Sequence, residues 1–331
     1  MKQTLFTLLF ITCIGLISCR KTGNDPNITQ YDQTQIQNYI NANGLTGMKR
    51  DTSHGDTSGI YYQILSQGST TGRPLDYPDS VAFVLTVKSF DGKYFNTDTI
   101  NLAHFNGLVG HISFGGPVLG CTKGLQSAIH DIIKYRGTRA RLLIPSRVSY
   151  GVNGIGTGSS SNTGTRILGN QCLDYYINVV TSVDKYDDDL INGYIKKNNL
   201  TGFTYIGPGN RGRGIYYKVT TPGSGKGDVL TDVSSFTVSA YSGKFLNDFV
   251  FDPGPAAGAA AVSFTAGAYV PGVLESLRGQ TAGAVVSMFI PSRLAYGRAG
   301  SGPDPNTGVV SIGGNTVLYF TGFTLATVTN P

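Results

Sequence analysis

The 331-residue chain has no tryptophan, three methionines and four cysteines. So few cysteines exclude a disulfide scaffold. Cys13 and Cys19 fall at the N-terminal end, which leaves Cys121 and Cys172 in the body of the chain. An oxidising compartment would permit a bridge between those two, and nothing in the sequence requires one. Charge is scarce as well, at 14% Asp, Glu, Lys and Arg with a formal net charge of +6. The basic residues are scattered rather than clustered, which argues against a nucleic-acid partner. The four histidines, at 54, 104, 111 and 130, show no HExxH spacing, and the acids form no cation loop, so no metal is expected. GPGNRG at 207–212 fits GxGxxG but precedes a strand-like run, and GSGKGD at 223–228 lacks the leading Gly and the Ser/Thr of a phosphate loop. No cofactor is expected, and nothing signals an oligomer.

Long apolar runs are also missing, since no stretch approaches the ~18–20 residues of a membrane-spanning helix. The nearest is Leu5–Ile17, an apolar run of 13 behind Lys2, which has the length of a signal-peptide core. It closes with Leu16-Ile17-Ser18-Cys19, which resembles a bacterial lipobox. Residues 1–18 are therefore expected to leave as a signal peptide, with Cys19 lipidated and 19–30 acting as a tether. The body would then be extracytoplasmic and membrane-anchored, on the periplasmic or the outer side. An ordinary cleaved leader with Cys19 near the cut is the alternative. Removing 1–18 deletes one lysine and no acid, leaving +5.

What the chain has in abundance is glycine (45), tyrosine (19) and phenylalanine (16), a composition leaning towards β structure. It also has a long internal repeat. YDQTQIQNYINANGLTG at 31–47 matches YDDDLINGYIKKNNLTG at 186–202, and Gly59-Ile60-Tyr61-Tyr62 recurs as Gly214-Ile215-Tyr216-Tyr217, both at an offset of 155. IPSRVSYG at 144–151 recurs as IPSRLAYG at 290–297. VLGCTKGLQS (118–127) corresponds to VPGVLESLRG (270–279), and NQCLDYYINVV (170–180) to NTVLYFTGFTL (315–325). Such a period is too long for a solenoid and indicates two copies of one domain, 31–183 and 184–331.

Each copy opens with an amphipathic helix, on Ile36, Tyr39 and Ile40 and on Ile191, Tyr194 and Ile195, read as a packing strut. Asn43-Gly44 would stop the first. Asp187-Asp188-Asp189 would open the second, where negative charge suits the helix dipole. Alternating strands follow: IYYQIL, VAFVLTV, RARLLI and CLDYYINVV, then IYYKVT, SFTVSAY, AVVSMFI and VLYFTGF. One short helix is expected within each core, TKGLQSAIHDII and VLESLRGQT. The predicted class is α+β.

The ordered set of an aromatic strand, an xDGKxF turn, a V-x-G helix start, an IPSRxxYG corner and a final aromatic strand resembles the FKBP family of peptidyl-prolyl cis-trans isomerases. It does so twice, over roughly 58–182 and 213–328. The resemblance implies two tandem domains, each a twisted antiparallel sheet curled round one short helix, with an apolar pocket between them for proline. It implies isomerase activity on proline-containing polypeptides, here exported ones. It assigns a hydroxyl donor for the substrate carbonyl to Tyr150 and Tyr296. Pocket residues fall on Val118 and Val270 at the helix start, Tyr175 and Phe320 in the last strand, and Phe95 after the first GK turn, with Leu246 in the second copy. The early-strand tyrosine maps onto Leu85 and Phe236, the acid after the aromatic onto Asn96 and Asn247, and the floor aromatic onto Cys121 and Val273. On this alignment copy one keeps slightly more of the aromatic set. The competing readings are a catalytically degenerate peptide- or protein-binding module and a structural surface lipoprotein. Cys121 has no His–acid partner at an interpretable spacing and reads as a small floor residue, and Arg147 and Arg293 as structural ties of the corner.

Overall fold

Asn27 starts the first helix rather than ending a tether. Its side chain accepts from the Gln30 amide while the Gln30 side chain accepts from the Asn27 amide, a reciprocal cap that fixes the start of α1, Ile28–Ala42. The computed structural model describes residues 27–331 except 56, 98–103, 115–120, 157–165, 266 and 303–311. The signal segment and Cys19 lie outside the described residues. Asn43 caps the end of α1, and Gly44 follows at φ +61°, as the Asn-Gly pair predicts.

The first sheet is antiparallel and seven-stranded. Its strands are β1 (Lys49–Arg50), β2 (Tyr61–Ser66), β3 (Ser80–Ser89), β4 (Phe95–Thr97), β5 (His104–Leu108), β6 (Arg139–Ile144) and β9 (Leu173–Val179). They lie in the order β1-β2-β6-β9-β3, with β4 and β5 both on the far edge of β3. A small hairpin pairs β7 (Ile155–Gly156) with β8 (Arg166–Ile167). Alternation sends Val81, Phe83, Leu85 and Val87 to one face. There they meet Leu125, Ala128, Ile129 and Ile133 of the core helix. That helix is not uniform. It runs as α2 over Lys123–Ser127 and widens into a π-helical turn over Ala128–Ile133.

The opposite face of the same sheet carries α1. Leu142 and Ile144 belong to the inner core, whereas Leu143 between them packs with Ile36 and Cys172 under Tyr39 and Phe90. The sheet is thus covered on both sides. One polar post joins α1 to it: fully buried Asp174 takes Arg141 in a two-pronged pair (3.0 and 2.7 Å) and the Tyr39 hydroxyl at 2.9 Å.

The second sheet repeats this order. α3 (Val183–Lys197) is capped by Ser182 and carries Asp184 in its first turn and Lys196 and Lys197 in its last, matching the dipole at both ends. The strands are β10 (Thr204–Tyr205), β11 (Tyr216–Thr221), β12 (Ser235–Lys244), β13 (Val250–Asp252), β14 (Val262–Phe264), β15 (Val285–Ile290) and β16 (Leu318–Thr329). They run β10-β11-β15-β16-β12, with β13 and β14 on the far edge of β12. The core helix α4, Pro271–Leu277, is shorter than the sequence suggests, because Arg278 turns to ψ 131°. The fold is therefore the expected α+β class, twice over. No helix among the described residues is long and apolar enough to cross a membrane.

One correction concerns the acids of α3. Asp187 does not open the helix. It lies inside it, fully buried, on the face shared with Ile191 and Tyr194.

Asp174→Ala would leave the Arg141 guanidinium and the Tyr39 hydroxyl facing each other without their acceptor. It should lower stability by about 3 kcal/mol, read as a lower urea midpoint for the transition followed through the first sheet.

Candidate functional site

The pairing of the long strand with the last strand decides which side chains meet. In the first sheet β3 and β9 pair without a shift. Tyr175 lies opposite Val87, Leu85 is two residues back opposite Ile177, and Asn96 of β4 faces Val87 from the other side. In the second sheet β12 is irregular, with register shifts at three points along β16. There Phe320 lies opposite Gly243, two residues back is Tyr241, and the residue facing Gly243 from β13 is Asp252.

The geometrical counterparts of Leu85 and Asn96 are therefore Tyr241 and Asp252. They are not Phe236 and Asn247, as letter-by-letter alignment suggests. Gly243-Lys244 sits in the strand instead of the turn, so the hairpin turns later, over Phe245-Leu246-Asn247-Asp248-Phe249, and the aromatic–acid pair arrives as Phe251-Asp252. Leu246 packs against the α3 side of the sheet, with Tyr194 and Tyr319. Asn247 caps the turn by accepting from the Phe249 amide at 3.0 Å. The sequence did hold a signal for this, the Phe-Asp dipeptide that begins ten residues after a strand tyrosine, but strand bulges and the longer hairpin conceal it.

Gly243 is required by what crosses it. A Cβ there would come within 2.8 Å of the Phe320 ring and 2.9 Å of the Phe251 ring. The two rings meet edge-on at 5.8 Å, and Tyr241 stands edge-on to Phe320 at 6.1 Å and to Phe264 at 6.4 Å. Phe323 lies beneath, 5.2 Å from Tyr241. Such offset and edge-to-face contacts fix ring orientation beyond what area burial alone would do. The Tyr241 hydroxyl donates to Asp252 Oδ2 at 2.9 Å, and Oδ1 of the same carboxylate accepts from the Gly254 amide at 3.0 Å. Burial, then the bond to Asp252 and its charge, push the Tyr241 phenol up to about 12. Tyr296 of the YG corner is 40% exposed at the rim; partial burial, then the charge of Asp252, raise its phenol as well.

Val270 precedes α4 as its N-cap residue, and Val273 of the helix is buried. Phe236 lies in the same aromatic cluster, stacked on Phe264 at 5.2 Å, but it is 2% exposed and at the far end of the strand. It supports the wall and does not hold the early-strand tyrosine's place.

The first copy is arranged differently. Tyr175 is completely buried. Burial drives this phenol well above its ordinary range, with Tyr150 close by as the next cause. Tyr150 packs half-buried on the core. Phe95 is placed by its backbone alone, opposite Lys88, and Val118 lies outside the described residues. Cys121 and Cys172 are free and buried, and burial pushes both thiols up to about 12. Neither is an activated nucleophile. Arg147 donates to the carbonyls of Thr57 (3.1 Å) and Ser58 (2.8 Å), and Arg293 to that of Arg213, as ties of the corner.

The raised Tyr241 phenol sets an alkaline limit. The unfolded group ionises near 10 and the folded one near 12. The folded state alone keeps the proton between those values, so its contribution is full below pH 10 and is lost as pH rises towards 12. Melting temperature should fall across that window, and less steeply in Tyr241→Phe.

The family model described as FKBP-type peptidyl-prolyl cis-trans isomerase matches residues 232–321, which run from before β12 into β16. The FKBP-type peptidyl-prolyl cis-trans isomerase FkpA of Buchnera aphidicola is 29% identical over 171 residues, 48% of this chain and 62% of that protein. The probable FkpA of Neisseria meningitidis serogroup B is 34% identical over 107 residues, 32% of this chain and 35% of that protein. The chain thus spans less than two thirds of the length of either. Among solved structures, FkpA from Escherichia coli is similar at 26% identity and TM-score 0.34, over 45% of this chain and 63% of that one. The three FKBP domains of wheat FKBP73 give 17% and 0.32, over 86% and 100%. The segment 232–321, in which this site is built, thus matches the FKBP-type peptidyl-prolyl cis-trans isomerase family.

Proposed function

We propose that the protein accelerates cis-trans isomerisation of Xaa-Pro bonds in exported polypeptides, and that the unit spanning 184–331 carries the reaction. The observation that carries this reading is the convergence on Gly243 of Phe251, Phe320 and Tyr241, with the Tyr241–Asp252 pair behind them and Tyr296 at the rim. Rotation about a prolyl bond meets a barrier of ~18–20 kcal/mol because it breaks amide resonance. The planar amide is the more polar form, so water favours it over the twisted one. An aromatic cleft that takes the prolyl ring out of water, with Tyr296 donating to the carbonyl, binds the twisted form better than the planar one. Asp252 orients the Tyr241 hydroxyl and fixes that wall. No nucleophile is needed.

The unit spanning 31–183 is proposed as a holding module. Leu85 stands where the second unit has Tyr241, and Tyr175 is completely buried. The lipobox-like Leu16–Cys19 supports a lipid anchor and a site of action outside the cytoplasm, at the periplasmic or outer face.

The test is NMR exchange of short Xaa-Pro peptides with the whole chain, varying the residue before proline. Acceleration is expected, and Tyr296→Phe should reduce it about three- to tenfold, the worth of one hydrogen bond. Loss on Tyr150→Phe instead would transfer the reaction to the first unit. No acceleration of any peptide would leave a binding module.

A further inference from the structure

The helix that precedes each sheet carries an acid where packing alone calls for an apolar residue. Asp32 and Asp187 occupy matching places 155 residues apart, and both are fully buried. Taking a carboxylate out of water is costly unless every oxygen is well partnered. Both acids meet the serine of an IPSR corner. Asp32 accepts from the Ser146 hydroxyl at 2.6 Å and the Arg147 amide at 3.1 Å, with Cys172 Sγ at 3.6 Å. Oδ2 of Asp187 accepts both the amide (2.8 Å) and the hydroxyl (2.7 Å) of Ser292.

That serine is also the hub of the corner. The Ser146 carbonyl accepts from the amides of Ser149 (3.0 Å) and Gly151 (2.9 Å), the two residues flanking Tyr150. The Ser292 carbonyl accepts from those of Ala295 (3.1 Å) and Gly297 (2.8 Å), which flank Tyr296. Beyond, the Gly151 and Gly297 carbonyls accept from Asn170 and Asn315, both at 2.8 Å. The corner has only a single 3-10 turn of its own, Ser146–Val148 or Ser292–Leu294, and so little intrinsic rigidity. A path of two hydrogen-bonded links therefore runs from the helix acid to both sides of the tyrosine.

We infer that Asp187 is a positioning residue for Tyr296, so that α3 belongs to the site and is more than a packing strut. This rests on the reading of Tyr296 as the carbonyl donor. By the same geometry Asp32 sets Tyr150 in the first copy.

The test uses the full chain with tyrosine labelled at Cζ with 13C, the Tyr296 resonance being assigned by its loss in Tyr296→Phe. Asp187→Ala should shift and broaden that resonance and lower kcat for prolyl exchange about tenfold, with KM nearly unchanged. Asp187→Asn keeps an oxygen for both serine donors and should restore the resonance and most of the rate. Tyr194→Phe releases the same helix from Asp248 without touching the corner, and should leave the Tyr296 resonance in place. An unmoved Tyr296 resonance in a natively melting Asp187→Ala would overturn the inference, as would an equal change in Tyr194→Phe. If Asp187→Ala does not fold, Ser292→Ala takes its place. It keeps the serine amide, and the resonance must still move or the inference is lost. A wild-type chain without isomerase activity would sink the functional reading alone, since the Tyr296 resonance reports position independently of turnover.

Discussion

A carboxylate withdrawn from water has to be met by donors, and in this protein that requirement links the peripheral helices to the sheets. Asp32 and Asp187 find their donors in the serine of the IPSR corner. Asp174 finds Arg141 and Tyr39 across the same helix–sheet junction. An apolar helix face could slide over a β-sheet at modest cost, because dispersion contacts have little direction. A buried, hydrogen-bonded acid cannot, because any shift leaves a charge unpaired in a low-dielectric interior. These few polar posts fix where α1 and α3 lie and how the corner between strand and loop is shaped. They act on the face of the sheet away from the core helix, and their effect reaches the other side through the serine carbonyl.

The two copies keep this frame and diverge on what they place inside it. In the first, a regular β3 gives Leu85 and a completely buried Tyr175. In the second, bulges in β12 re-aim the strand, bring Tyr241 to the equivalent position and let a longer hairpin return with Phe251 and Asp252. Bulges of this kind add local twist and redirect side chains without disturbing strand order. That is why both sheets share one topology while only the second assembles the tyrosine–acid pair. The ordering by letters, in which the first copy keeps more of the aromatic set, is reversed by this geometry.

The aromatic cluster of the second copy also explains a compositional oddity. The cluster contains no tryptophan and is built from several smaller rings in edge-to-face contact. Val273 takes the floor position, and Gly243 makes room for Phe251 and Phe320. A network of rings is rigid through mutual packing.

Much of the architecture was legible from the chain alone. The 155-residue repeat, the two amphipathic helices, the first stopped by Asn43-Gly44, the inner strands and the corner arginines as ties all follow from local pattern and short-range chemistry. The α+β class and the family likeness follow from motif order. The sequence did not disclose the edge strands β4, β5, β13 and β14, the π-helical turn at Ala128–Ile133, or the partners of Asp32 and Asp187. Nor did it disclose that Tyr241 and Asp252, eleven residues apart, would meet at 2.9 Å. Each of these depends on long-range registration: which residue of one strand faces which residue of another, and where a bulge takes up the difference. Local propensity is written residue by residue. Register is set by the whole buried face, and only the folded sheet fixes it.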